Sequence, residues 1–137
     1  MENTAQRPLS PFWSVINRQR MTSGLSILHR ATGVWLGYGL VMFAWWLIAA
    51  ALGPGSYAVF TWYCGSLWGL ATLAPLTAIG AYHALNGVRH LIWDCGGLLD
   101  LKAAKLGGVV VLAATALVTL GLWAYLIPVY YLPNLYY

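Results

Sequence analysis

Two short polar clusters contain the residues of this chain that are best suited to chemistry. One cluster contains Ser26, His29 and Arg30, and the other contains His83 and His90. Together they include all three histidines of the chain. An imidazole can bind a metal or exchange hydrogen bonds, and a guanidinium or a hydroxyl can bind an anion or a carbonyl oxygen. The two clusters therefore point to a ligand or cofactor site.

The spacing around His83 favours a large flat cofactor over a small metal ion. His83, Asn86, Gly87 and His90 stand at i, i+3, i+4 and i+7, so they share one face of a helix. The two histidines are about 10 Å apart along that helix, at about 1.5 Å per residue. One zinc ion cannot bind both, because its nitrogen ligands lie at about 2 Å.

Haem fits this face, because one histidine can bind its iron and the other can contact its anionic rim. Gly87 leaves room for a ring against the helix. The sequence has no Cys-x-x-Cys-His motif, which predicts noncovalent binding. Only His83 is deep enough in the apolar segment to be an axial ligand. If the iron has two histidine ligands, the second must come from a partner subunit. The alternative role for His83 is a hydrogen bond between helices.

Ser26 and Arg30 are four residues apart and share a helix face. A fixed cation and a hydroxyl at the edge of the hydrocarbon suit a ligand with a polar head and an apolar tail, such as a quinone. Arg30 or His29 could also pair with the propionates of a haem. The alternative is that Arg30 snorkels toward water while Ser26 caps the helix or bonds the backbone.

The two clusters are expected at the same membrane depth, which predicts a shared polar pocket. Arg89, His90 and Asp94 would lie there with Ser26 and Arg30. Asp94 could pair with Arg89 or help to close the pocket, and the spacing leaves both possibilities open.

Composition identifies the elements that position these residues as membrane helices. The 137 residues are 61% hydrophobic and 7% charged, whereas soluble domains carry about 25% charged residues. We expect an all-α membrane protein, with residues 1–137 as one anchor domain. Its three transmembrane helices are predicted at about 31–52, 57–88 and 104–127, after a cytoplasmic arm at 1–22.

Two prolines and a tyrosine-rich tail add local predictions. Pro75 is expected to kink the second helix, because proline removes a backbone donor. The third helix is expected to end at Pro128. The tyrosines that follow it are interpreted as an interfacial belt: Tyr130, Tyr131, Tyr136 and Tyr137.

The charge distribution predicts the orientation of the chain. The net charge is +4, and the basic residues precede the first span or flank the loop between the second and third. This positive-inside pattern places the N-terminus in the cytoplasm or the mitochondrial matrix, and it gives no reason to expect nucleic-acid binding. We expect the bacterial inner membrane, with the mitochondrial inner membrane as the alternative, since no clear transit peptide precedes the arm. The seven residues are Arg7, Arg18, Arg20, Arg30, Arg89, Lys102 and Lys105.

One other functional class finds little support. An ion-coupled transporter usually carries a carboxylate within the membrane, and no acidic residue occurs between Glu2 and Asp94.

Cys64 and Cys95 are expected near opposite membrane faces, too far apart for a disulfide, and are interpreted as small apolar side chains.

Both clusters resemble the cytochrome b556 subunit family of succinate dehydrogenase, one of the two membrane anchors of complex II. That family carries Ser-x-x-His-Arg-x-Ser/Thr-Gly, here Ser26 to Gly33, and His-x-x-x-Gly-x-Arg-His-x-x-x-Asp, here His83 to Asp94. An Arg-Pro-Leu-Ser-Pro arm precedes them at Arg7–Pro11, followed by Phe12 where many relatives have histidine. The resemblance covers about residues 7–127.

The resemblance implies a set of roles. His83 would be an axial ligand of haem b, with the other axial histidine on a second anchor subunit. Ser26 and Arg30 would belong to the ubiquinone site, and His29 and His90 would contact the haem propionates. The partners would be that second anchor, an iron–sulfur subunit, a flavoprotein and membrane lipid. The chain would not be catalytic alone. The alternatives are an anchor of a quinol:fumarate reductase and a structural anchor without haem.

Overall fold

The computed structural model describes residues 20–133, which form four α-helices and one π-helical turn. In chain order these are α1 (Arg20–Leu52), α2 (Pro54–Gly65), α3 (Leu67–Asp94), α4 (Leu101–Leu126) and the π turn (Ile127–Tyr131). The described part contains no strand, which confirms the predicted all-α class. Most of the predicted arm at 1–22, as well as Tyr136 and Tyr137 of the predicted belt, lies outside the described residues.

Two segments of the described chain are long and apolar enough to cross a bilayer as single helices. They are Met21–Leu52 and Leu101–Tyr131. The pair α2 and α3 passes the same test only as one span bent by 75°, so the chain has two candidate spans, or three with the bent pair. Most large apolar side chains of all four helices are exposed, as suits contact with lipid or with other membrane helices.

The second predicted helix is broken at Ser66, ahead of Pro75. The helix α3 runs through Pro75 without a break, whereas Ser66 is extended, with φ −81° and ψ 166°. The Ser66 hydroxyl accepts a hydrogen bond from the Gly69 amide at 3.1 Å and so caps α3. A Cβ at Gly69 would overlap the carbonyl oxygen of Tyr63, so this tight turn requires glycine.

The first helix begins earlier than the apolar span that the sequence defined. Because α1 starts at Arg20, both Ser26 and His29 lie within regular helix, ahead of the predicted start at residue 31. At the other end, Gly53 turns the chain with φ 101°, a conformation that favours glycine.

A small core joins α1, α3 and α4, near the ends of these helices for which the charge pattern predicts a cytoplasmic location. It consists of buried Leu25, Tyr82 and Val111, with Met21 and Leu85 packed against it. The hydrophobic effect contributes little between helices in lipid, so close packing and hydrogen bonds hold such contacts. This core lies next to the histidines and positions α3 against α1.

The C-terminal tyrosines differ in environment, and the interfacial belt stays a prediction. Tyr131 is 7% exposed, and its hydroxyl donates to the Cys64 carbonyl at 2.7 Å. Tyr130 is exposed. Helical structure continues past Pro128 because a π turn follows α4 there, and proline is tolerated in a first turn, where its missing amide hydrogen is not needed.

Candidate functional site

The three histidines meet at the interface of α1 and α3. The ring of His29 stacks on that of His83, with centroids 4.0 Å apart and planes inclined by 13°. The same ring lies 5.0 Å from the ring of His90, at 41°. The ring of His29 therefore contacts both histidines of α3, and the histidines of the two clusters meet.

His83 is oriented by two oxygen atoms of α1. Its Nδ1 lies 3.2 Å from the carbonyl oxygen of His29 and 3.2 Å from Oγ1 of Thr32. A carbonyl oxygen only accepts hydrogen bonds, so Nδ1 carries the hydrogen and donates it. In the neutral imidazole, Nε2 then carries the lone pair. No residue of 20–133 forms a hydrogen bond with Nε2.

Gly33 makes this arrangement possible. A Cβ at position 33 would lie 3.1 Å from Cε1 of His83, so a larger residue would press on the imidazole ring. A Cβ at Gly87 would lie 3.9 Å from Cε1 of His29, an ordinary contact. Of the two glycines, Gly33 is the one at which an added side chain would press on a histidine.

A buried hydrogen bond fixes α3 beside α1 one residue before His83. The hydroxyl of Tyr82 donates to the Leu25 carbonyl at 2.7 Å, and Tyr82 is buried. Interhelical hydrogen bonds of this kind stabilise helix pairs in lipid by about 0.6 kcal/mol on average. The bond holds the two histidine-bearing helices together at the depth of the site.

Ser26 and Arg30 lie on consecutive turns of α1 beside this cluster. Ser26 is half-buried and Arg30 is exposed. Among residues 20–133, neither side chain forms a hydrogen bond or ion pair. The structural role considered for Ser26, a hydrogen bond to the backbone, is therefore not observed. Both polar groups are available to a ligand.

Arg89 does not join the predicted polar pocket. It is 5% exposed and donates to Oδ1 of Asn86 at 3.2 Å and to the Ala104 carbonyl of α4 at 2.8 Å. Its guanidinium carbon also lies 4.0 Å from the ring centroid of Trp93. Arg89 thus faces α4, away from the histidines, and within the described residues it does not pair with Asp94.

The side chain of Asn86 contacts Arg89 and not the histidines. Its exposed fraction is 0%, and its side-chain amide bonds the guanidinium. The sequence spacing predicts Asn86 on one helix face with His83 and His90. In the structure its side chain is buried against Arg89 instead. A side chain that is fully enclosed cannot contact a bound ring directly.

The donor set excludes a small metal ion bound only by the described residues. Among residues 20–133, no group of three or more histidine, cysteine or acidic side chains could hold a metal ion. Cys64 and Cys95 are both free thiols, as expected. Of the three imidazoles, within residues 20–133 only that of His83 has one nitrogen bonded to protein oxygens and the other unbonded, and its Nε2 suits a metal whose other ligands come from a macrocycle or another chain.

Comparison with known proteins agrees with the geometry. Residues 3–122 match the family described as succinate dehydrogenase/fumarate reductase transmembrane subunit. The succinate dehydrogenase cytochrome b556 subunit of Rickettsia felis is 37% identical over 118 residues, which are 86% of this chain and 91% of the relative. The subunit of the same name from Paracoccus denitrificans is 37% identical over 122 residues, 85% and 93% of the two chains. The mitochondrial cytochrome b560 subunit of Sus scrofa is 37% identical over 125 residues, 88% and 72% of the two chains.

Proposed function

The chain belongs to the succinate dehydrogenase/fumarate reductase transmembrane subunit family, and we propose that it is the haem b-binding membrane anchor of a succinate dehydrogenase. In this proposal it forms part of the site where ubiquinone receives the electrons of succinate oxidation. Its partners are a second anchor subunit, an iron–sulfur subunit and a flavoprotein. The names of the relatives favour this function over a quinol:fumarate reductase anchor. The bacterial cytoplasmic membrane is its proposed location.

One observation carries the haem assignment, namely the free Nε2 of His83. The opposite nitrogen, Nδ1, donates to the His29 carbonyl, and metal-binding histidines commonly donate their second nitrogen to such an acceptor. The residues present therefore fit haem b, with His83 as one axial ligand and the second ligand from the partner anchor. When bound, the haem supplies a one-electron redox centre.

The other two histidines are proposed contacts of the haem propionates. Nδ1 of His29 is buried and has no hydrogen-bond partner within residues 20–133. Since that atom is enclosed, a propionate would bind the other ring nitrogen, Nε2, of this half-buried side chain. His90 contacts His29 on one side and the edge of Trp93 on the other, with centroids 5.1 Å apart. Both imidazoles lie beside His83.

Ser26 and Arg30 are the proposed quinone residues of this chain. A hydroxyl and a guanidinium can each donate a hydrogen bond to a quinone oxygen. Reduction of ubiquinone to ubiquinol adds two electrons and two protons, and negative charge grows on the oxygen atoms as electrons arrive. Arg30 would stabilise that charge electrostatically. Because Arg30 is exposed in this chain, the rest of the quinone site must come from other subunits.

The proposal is tested with the purified complex and two histidine variants. A reduced-minus-oxidised spectrum of the wild type should show a b-type cytochrome. His83→Ala should remove that signal while the subunits still copurify, and His90→Ala should retain a b-type signal because the iron ligand remains. A full haem content in His83→Ala would reject His83 as a ligand. A wild-type complex without b-type absorption would leave the structural anchor without haem as the better description.

A further inference from the structure

Thr32 lies beside His83 at the interface of α1 and α3. It is 5% exposed and lies one helical turn after His29. Its Oγ1 lies 2.9 Å from the His29 carbonyl oxygen and 3.2 Å from Nδ1 of His83. The hydroxyl thus contacts both the imidazole and the carbonyl oxygen that shares its Nδ1 hydrogen.

We propose that Thr32 is a positioning residue that fixes the tautomer and orientation of His83, so that Nε2 carries the lone pair offered to the haem iron. This inference rests on the proposed haem function of His83. Thr32 touches neither the iron nor the haem in this proposal, and it acts only through the imidazole.

The hydrogen count supports this role. A hydroxyl has one hydrogen, and Thr32 donates it to the His29 carbonyl. Its oxygen can then only accept from Nδ1 of His83, as the carbonyl oxygen also must. In the tautomer with hydrogen on Nε2, the Thr32 hydroxyl would have to leave the His29 carbonyl to donate to Nδ1, and Nδ1 would still face the lone pairs of that carbonyl oxygen.

Thr32 combines a local bond with a contact to a distant ring, as Thr77 also does with the Trp123 indole, whereas Thr115 forms a local bond alone. A threonine within a helix commonly donates to a carbonyl three or four residues earlier, a local bond without further consequence. Thr115 of α4 forms only such a bond, to the Val111 carbonyl at 2.8 Å. Thr32 forms the local bond and also contacts an imidazole 51 residues away. Thr115 is therefore the matched control.

Loss of the hydroxyl should alter the haem itself. An acceptor on Nδ1–H makes the imidazole a stronger electron donor to a bound metal, and removing such an outer partner typically weakens metal binding about 10–100-fold. A more electron-rich ligand stabilises ferric iron, so the variant without the hydroxyl should have a higher haem reduction potential. The His29 carbonyl remains as one acceptor, so the haem should still bind.

The test compares Thr32→Val, Thr32→Ser and Thr115→Val in the purified complex. Redox titration gives the midpoint potential of the haem, and spectra after dilution and washing give its retention. We expect a raised potential and faster haem loss in Thr32→Val, near wild-type behaviour in Thr32→Ser, and no change in Thr115→Val. If Thr32→Val does not assemble, Thr32→Ala provides the same loss of hydroxyl with less volume.

The possible failures are distinguishable. Equal potentials and equal haem retention in the wild type, Thr32→Val and Thr32→Ser would overturn the role of Thr32 while leaving His83 as the ligand. An equal shift in Thr32→Ser and Thr32→Val would also overturn it, because the hydroxyl would then not be the cause. A full haem content in His83→Ala would instead reject the ligand assignment on which this inference rests.

Discussion

The two faces of α3 use polar side chains in opposite ways. On the face toward α1, half-buried histidines stack on one another, and His83 keeps one nitrogen free of protein partners. On the face toward α4, Asn86 and Arg89 are sealed from solvent and bonded to each other and to a backbone carbonyl. Accessible groups with unused bonding capacity suit ligand binding, whereas enclosed and bonded groups suit structural support. Adjacent residues of one helix, Arg89 and His90, thus belong to different kinds of region.

On the face of α3 toward α4, not every buried polar atom has a hydrogen-bond partner. Nδ2 of Asn86 and Nε of Arg89 are buried without hydrogen-bond partners in residues 20–133. The contact of the guanidinium with the Trp93 ring offsets part of this cost, since cation–π contacts contribute about 0.5–2 kcal/mol.

The largest effect on stability is expected from Arg89→Ala. The substitution leaves Asn86 buried without its partner and removes the bond to the Ala104 carbonyl, at a cost of about 3 kcal/mol. Thermal denaturation of the purified complex should show the loss. Arg30→Ala is the matched control and should change stability by less than about 0.5 kcal/mol, because Arg30 is exposed and unpaired in the described chain. Equal destabilisation by the two substitutions would remove the distinction between the enclosed Arg89 of α3 and the accessible Arg30 of α1.

Activity should respond to the two arginines in the reverse order. Arg30→Ala should lower quinone reduction about 10–100-fold, as expected for loss of a group that stabilises developing negative charge. Succinate oxidation measured with a soluble electron acceptor should persist, because that reaction does not use the quinone site. If quinone reduction stays normal in Arg30→Ala, the assignment of Arg30 fails.

A smaller effect is expected from added volume on the histidine face. Gly33→Ala places a methyl group 3.1 Å from Cε1 of His83 and should destabilise the site by about 1 kcal/mol, with lower haem content. Gly37→Ala is the control, because a Cβ there meets nothing within 4 Å. Spectra normalised to protein would check the comparison, and identical haem content in both variants would contradict the proposed close fit at Gly33.

The smallest effect is expected from Tyr82→Phe, which removes only the bond to the Leu25 carbonyl. We expect a loss of about 0.5–1 kcal/mol in stability and little change in haem content. Tyr57→Phe, which alters an exposed tyrosine, should have no effect on either quantity. The thermal midpoint of the complex is the measurement. A large loss of haem in Tyr82→Phe would show that this bond belongs to the ligand site itself.

Several features were predictable because they depend on local sequence. The apolar runs indicated membrane helices, and the spacing of His83 and His90 placed them on one helix face. The helix break was missed because a proline is a familiar helix breaker, whereas Ser66 ends one helix and caps the next only when Gly69 permits the close turn. The burial of Tyr131 was missed because its partner, the Cys64 carbonyl, is distant in sequence.

The sequence by itself determined the kind of protein and the residues able to do chemistry, since composition and helical spacing are properties of single segments. Tertiary structure decided which neighbour each polar side chain meets. Consecutive residues point about 100° apart around a helix. The positions of α1 and α4 therefore decide that His90 faces His29 and that Arg89 faces the Ala104 carbonyl. The same placement brings the His29 carbonyl and Thr32 to His83, and so decides which nitrogen of that imidazole is left free.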